Sequence, residues 1–425
     1  MRATAMVVGI IVGASIFVQP SEINRHVPSV AGVFSVWIVA GALTLFGALL
    51  CAEFSSALPR TGGVYVFLTE TISPWCGFLW GWAMFWSVHS GIIAASAVIF
   101  ARYAAYFAPM GDTSTRLTAI CGIAFLSYVN YLGVRQGSTL QTVVTAAKLV
   151  VIAVLLALAF ASTPPASAAA VDSAAAPIPF HEFVLAVAAA LFTYGGWHMV
   201  TYTAGETQAP EKTIPAALVA GSLLVTAVYV ALNSAYLHLL PLAKLQASTR
   251  VAADAAQALA GARAGTIVSA LVMLSAIGVL NGVILAGPRT YFAMAEDGLS
   301  FAWLASIHPG YRTPARAIAL QAVWSCVLVA TGTYRTLYTR VVYTEWLFFA
   351  LLGAGLYRLR ARSGYRPVFR MWGYQWVPAL FVAASLLVAA IQIAADPLPS
   401  AAGLGIVMLG LPVYCFWIRT KHVHH

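Results

Sequence analysis

Long apolar runs, each able to supply a helix of about 20 residues, follow one another along the chain between short polar or Pro/Gly-containing stretches. They begin near Ala3, Val33, Gly77, Leu117, Leu140, Phe183, Ala216, Ala264, Ala317, Val341, Trp376 and Gly403, and they predict twelve membrane-spanning helices. Charges crowd the ends of the runs near Ala317 and Val341. One stretch breaks the pattern: Ala161–Pro179 is rich in Ala, Ser and Pro, which neither continue a helix nor bury a core. It divides the chain into a first five-helix set (1–161), an outer loop (162–180), a second five-helix set (181–360), and a final helix pair with the C-terminus (361–425).

Composition agrees with the pattern. Hydrophobic residues make up 61% of the 425 residues, charged residues only 8%, and the mean hydropathy is +0.85. Such a chain has the bilayer as its solvent, which excludes water-soluble enzymes and nucleic-acid binders. The net charge of +10 is explained by topology. With the N-terminus inside, 14 of the 23 lysines and arginines fall in inner loops and 8 in outer loops, while Lys148 alone sits within a run. Both termini are therefore expected to be cytoplasmic in a multi-pass cell-membrane protein. The basic run from Arg358 to Arg370 reads as a topology determinant, and Met1-Arg2 as the start of a retained first helix.

The five cysteines, Cys51, Cys76, Cys121, Cys326 and Cys415, lie in or beside apolar runs and read as small buried hydrophobes. His422, His424 and His425 read as a frayed end or tag remnant, so neither metal nor cofactor is expected.

Two runs are interrupted in corresponding places. The first carries Gly9 and then Gly13-Ala14-Ser15-Ile16-Phe17; the sixth carries Phe192-Thr193-Tyr194-Gly195-Gly196-Trp197. A single glycine motif is explained by close helix packing. A pair opening the two halves points to a transporter site at the bilayer midplane. Unwinding a helix in hydrocarbon strands N–H and C=O groups, which is tolerated only where they line a cavity or meet a ligand. A zwitterion suits both, its carboxylate on exposed N–H groups and its ammonium on carbonyl oxygens.

At these residues the sequence resembles the amino acid–polyamine–organocation (APC) superfamily, most closely its L-type amino acid transporter branch. The resemblance rests on Gly9 to Phe17, Glu53 with Pro59-Arg60-Thr61-Gly62-Gly63-Val64-Tyr65, Asn130-Tyr131-Leu132-Gly133, Thr145-Ala146-Ala147-Lys148, Phe192 to Trp197, and Glu206 with Pro210 and Pro215. It implies an all-α membrane protein with a five-plus-five inverted-repeat (LeuT-like) fold and discontinuous first and sixth helices. It also implies that amides of Gly13, Ala14, Ser15 and Ile16 hold a substrate carboxylate. Carbonyls of Phe192, Thr193 and Gly195 would hold the ammonium, with Phe192 as an aromatic gate. Relatives usually carry Gly-Ser-Gly where this chain has Gly13-Ala14-Ser15, which alters the space and hydroxyl groups offered to a substrate.

Lys148 lies about eight residues into its run, too deep for its stem to reach either interface easily, so an inward-facing ammonium is expected. By resemblance it occupies the cation place of sodium-coupled relatives, near the Gly13 region and Ser275, and implies sodium-independent transport. Exchange and proton symport both stay open. Glu345, followed by Trp346 and preceded by Tyr343, is read in two ways: paired with Arg340 near the outer interface, or facing the pocket. In the pocket it would carry a proton or recognise a cationic side chain. His198 adjoins the second break, and His89 is a further polar candidate. Glu53 and Glu206 read as ion-pair or gate residues.

The expected function is sodium-independent transport of small neutral L-amino acids by alternating access. The rival on the same fold is a proton-coupled permease of cationic amino acids or polyamines. An intramembrane enzyme lacks a zinc pair or nucleophile elbow, and a channel lacks a filter loop. Animal members of the L-type branch join a heavy chain through a cysteine between helices three and four. The corresponding loop, about Pro109–Thr115, has none, so no disulfide-linked partner is expected.

Overall fold

The computed structural model describes residues 2–163, 177–248, 251–261, 264–333 and 341–422, and its regular elements there are all helical. Most of the Ala161–Pro179 loop, Met1, Arg250, Arg263, Arg335, Arg340, His424 and His425 lie outside those residues.

The first predicted run is two helices: α1 (Arg2–Ile11) and, after the break, α2 (Gln19–His26). Every residue of α1 from Met6 to Ile11 is buried, as an apolar helix surrounded by protein must be. The second run is α3 (Val30–Ala57), started by the Ser29 side chain accepting from the Gly32 amide. Short α4 (Val64–Thr71) follows, then α5 (Pro74–Ala83) and α6 (His89–Ala104), joined through a π turn at Met84–Val88. The first half ends with α7 (Asp112–Tyr131) and α8 (Val134–Ala161).

The second half opens with α9 (Phe180–Thr193), a break, and a tight 3-10 segment, Trp197–Glu206. Next come α10 (Pro210–Leu239), two short helices α11 (Leu242–Ala247) and α12 (Val251–Ala260), and α13 (Ala264–Glu296). After these come α14 (Ala315–Thr331) and α15 (Thr344–Arg360). Finally α16 (Val377–Ala395) precedes α17 (Pro397–Met408) and α18 (Gly410–His422), which bend at Leu409.

Eight stretches of the described residues are long and apolar enough to cross a membrane: α3, 74–104, α8, 180–206, α10, 266–296, α16 and 397–418. The other four predicted runs fall on α1, α7, α14 and α15. The first is cut short by its break, α7 opens on a polar turn with Asp112 and Arg116, and α14 and α15 have 17 residues each.

At the centre, α1 is packed by α8, α10 and α13. Small residues set the close approaches, since a Cβ at Gly221 would come 2.5 Å from Val7, and one at Gly41 2.5 Å from Thr226. A buried amide chain ties α7, α8 and α13: Asn130 donates to the Asn281 side chain at 2.9 Å, and Asn281 donates to Gln141 at 2.8 Å. Helix faces turned away from the centre carry exposed apolar side chains, for example Val143, Val150, Val154 and Leu158 of α8. This corrects the reading of all five cysteines as buried: Cys51 and Cys76 are, but Cys121 and Cys415 lie on outward faces of α7 and α18.

Candidate functional site

α1 ends because Gly13 and its neighbours leave helical geometry, and each of its terminal carbonyls must find another partner. Val12 still donates to Val8, and Gly13 donates to Ile11 at 2.7 Å. The Lys148 ammonium, fully buried, donates to the carbonyls of Gly9 at 2.8 Å and Val12 at 2.7 Å. A cation thus sits on the negative end of a half-helix. The Ile10 carbonyl receives no hydrogen bond from any described residue, and neither the Ala14 nor the Ser15 amide donates one.

The second break turns at Gly196, whose φ of +94° is a left-handed conformation that glycine adopts without strain. A Cβ there would also fall 2.5 Å from Ile10, so the two breaks touch. Tyr229 of α10 fastens them together, its hydroxyl 2.7 Å from the Ile11 carbonyl and 3.0 Å from the Thr193 carbonyl. The Phe192 carbonyl accepts from Gly195 at 3.2 Å. Two of the three carbonyls assigned to a substrate ammonium are therefore already engaged inside the protein, whereas the sequence reading passed over Ile10 and Tyr229.

Both breaks line one cavity of about 430 Å³. Gly13, Ala14, Ser15, Phe192, Thr193, Gly195 and His198 border it, as do Tyr343, Glu345, Trp346 and Phe349 of the α15 region and Ser96 of α6. Ile16 is buried and does not border it. At one end the lining includes Val18 and Phe192, which are 43% and 39% exposed. At the other, His198 packs against Trp80 and Phe349, with ring centroids 5.5 and 5.2 Å away.

Ser275 is buried with an unpartnered hydroxyl and makes no hydrogen bond to Lys148. The α13 residue against the ammonium is Gly278, where a Cβ would stand 2.7 Å from Nζ. The Glu345 amide donates to the Val342 carbonyl at 3.1 Å, but its carboxylate forms no hydrogen bond or ion pair with a described residue; Arg340, one of its two expected surroundings, lies outside them. His198 is 1% exposed and neither ring nitrogen has a partner, while His89 donates to or accepts from the Tyr291 hydroxyl at 2.9 Å.

Beyond the closed end, ion pairs stitch together segments distant in sequence. Arg60 meets Asp297 at 2.9 Å, and Tyr65 donates to the same carboxylate at 2.8 Å. Burial and the Asp297 charge push the Tyr65 hydroxyl above its ordinary value. Arg289 reaches Glu206 at 3.1 Å. Glu53, fully buried, accepts two bonds from Arg360 at 2.7 Å, one from Tyr365 and one from the Met371 amide.

Broken helices, a buried cation on one of them and a cavity lined by both breaks are features of secondary transporters. Over residues 1–411 the chain matches the profile of the family described as amino acid permease, and it belongs to that family, within the APC superfamily. It is 30% identical to the serine/threonine exchanger SteT of Bacillus subtilis (strain 168), over 97% of this chain and 94% of that one. It is 29% identical to the human large neutral amino acids transporter small subunit 2, covering 99% and 80%. With the human cystine/glutamate transporter the identity is 28%, over 98% and 84%. The family and these relatives are transporters rather than enzymes.

Proposed function

We propose that the chain is a sodium-independent carrier of small neutral L-amino acids, clamping its substrate between the two breaks and working by alternating access. The observation that carries this reading is the convergence of both breaks on one cavity, with the Ala14 and Ser15 amides and the Ile10 carbonyl left for a ligand. The amides suit a carboxylate and the carbonyl an ammonium. The volume of about 430 Å³ lies within the range of roughly 300–1,000 Å³ usual for small-molecule sites. The names of the relatives, a serine/threonine exchanger among them, support the same class of cargo.

Twelve spans in a five-plus-five inverted repeat fit this reading, as do cytoplasmic termini, a cell-membrane location and the lack of a disulfide-linked heavy chain. The ion-paired face is then cytoplasmic, and the cavity opens outward past Phe192. Lys148 supplies the positive charge on α1 that a sodium ion would otherwise bring. The test is exchange of labelled serine, threonine and alanine by purified protein in liposomes, with and without sodium. No exchange of any amino acid would overturn the reading.

The Glu345 carboxylate, which borders the cavity and has no partner among the described residues, favours a second reading, transport of cationic amino acids or polyamines. Competition by arginine that disappears in Glu345→Gln would support it.

A further inference from the structure

Behind the cavity wall lies a run of polar rings whose chemistry the substrate clamp does not use. His198 borders the cavity, and its ring centroid is 5.6 Å from that of Tyr202. Tyr202 is 5.6 Å from His89, and the His89 Nδ1 lies 2.9 Å from the Tyr291 hydroxyl. Glu345, also on the wall, is an electrostatic neighbour of Tyr202. His198, Tyr202 and His89 are at most 1% exposed.

Packing alone does not account for these residue types. Among the described residues, both nitrogens of His198 and Nε2 of His89 are buried without a hydrogen-bond partner, while the Tyr202 hydroxyl has the Trp80 indole N–H as its polar neighbour. Buried polar atoms are almost always satisfied by protein or ordered water, and aromatic rings without such atoms would fill the space at no desolvation penalty. Rings at these separations are in direct contact, so a water that completes their bonding sits at the ring edges, against the unpartnered nitrogens. An imidazole accepts on one nitrogen while donating from the other, and a phenol hydroxyl does both on one oxygen.

We propose that Glu345, His198, Tyr202, His89 and Tyr291, bridged by water, form a proton pathway from the cavity through the closed half of the protein, and that amino acid transport moves a proton along it. This rests on the transporter reading above. A proton enters on the Glu345 carboxylate, each group passes one on as it receives one, and one leaves beyond Tyr291, so no group changes overall. Along α13 the next polar groups are Thr290, whose buried hydroxyl is also unpartnered, and Arg289 on Glu206, whose side chain is 24% exposed.

The surroundings hold few competing charges. Cys51 of α3 is the titratable neighbour of Tyr202 besides Glu345 and Tyr291, and His89 is that of His198. α5 contributes only the neutral Trp80. Tyr343, ahead of Glu345, is bonded to the Ser400 carbonyl.

The experiment uses the full chain in liposomes containing a pH-sensitive dye, with labelled serine as the probe. Serine entry is expected to acidify the lumen, and an alkaline lumen to drive serine accumulation. Tyr291→Phe, which removes one oxygen, and His89→Gln are expected to lose both effects while keeping serine-for-serine exchange. Wild-type exchange without proton movement would overturn the proposal, as would proton movement that survives in both variants. Loss of exchange along with proton movement in both variants would assign His89 and Tyr291 a structural role instead. Proton-free arginine entry that disappears in Glu345→Gln would give Glu345 to the substrate. Absence of any amino acid exchange by the wild type would overturn the transporter reading and this one together.

Discussion

The Tyr229 hydroxyl stands 2.7 Å from the Ile11 carbonyl, and on its other side 3.0 Å from that of Thr193. One oxygen thereby joins the ends of two half-helices that lie 182 residues apart in sequence, as the numbering of Ile11 and Thr193 gives. Removing it in Tyr229→Phe takes away the one proton the two carbonyls share and leaves that of Thr193 short of a donor, at about 1–3 kcal/mol, while Ile11 keeps the Gly13 amide. The expected outcome is a lower thermal unfolding temperature together with slower exchange, measured on the same purified sample.

Lys148 holds the end of α1 by charge and by two hydrogen bonds. In Lys148→Met the Gly9 and Val12 carbonyls lose their cation and exchange is expected to be abolished. Replacing sodium by choline is expected to leave wild-type uptake unchanged, which a paired flux measurement checks.

Gly278 offers a milder way to disturb the same contact. Its missing Cβ is what lets the ammonium lie there, since the added atom would be 2.7 Å from Nζ and 3.3 Å from the Gly9 carbonyl. Gly278→Ala is expected to reduce exchange in the direction of Lys148→Met, whereas Gly405→Ala, where a Cβ meets nothing within 4 Å, is expected to leave it unchanged.

Glu53 is buried with every contact matched, two from the Arg360 guanidinium. Breaking a buried pair by neutralising one partner costs about 3–5 kcal/mol. Glu53→Gln is therefore expected to lower thermal stability more than Glu70→Gln, whose carboxylate is half-exposed and 3.6 Å or more from its arginines. A thermal-unfolding comparison checks the order.

The breaks were legible in the sequence because glycines inside an apolar run act locally: Gly13 and Gly196 permit the chain to leave the helix wherever they occur. Lys148 was legible for a related reason, as an ammonium in hydrocarbon has few places to go. Tyr229 was not, because a tyrosine in the apolar α10 looks like any other until the chain is folded around it. The same holds for Asp297, which meets Arg60 across 237 positions of sequence. Short helices such as α2 and α12 were absorbed into neighbouring runs or loops. The π turn at Met84–Val88 leaves no compositional mark.

The pairs Arg60–Asp297 and Arg60–Glu70 are partly exposed, and in the proposed transport cycle they lie on the face that parts when the carrier turns over. Attraction between such groups fades as dissolved ions gather, with a screening distance of about 8 Å at physiological ionic strength. Concentrated potassium chloride on that face alone therefore loosens its clasp and tilts the resting population toward the opposite orientation. The carrier is in this sense biased by the electrolyte on one side of its membrane, before any cargo binds.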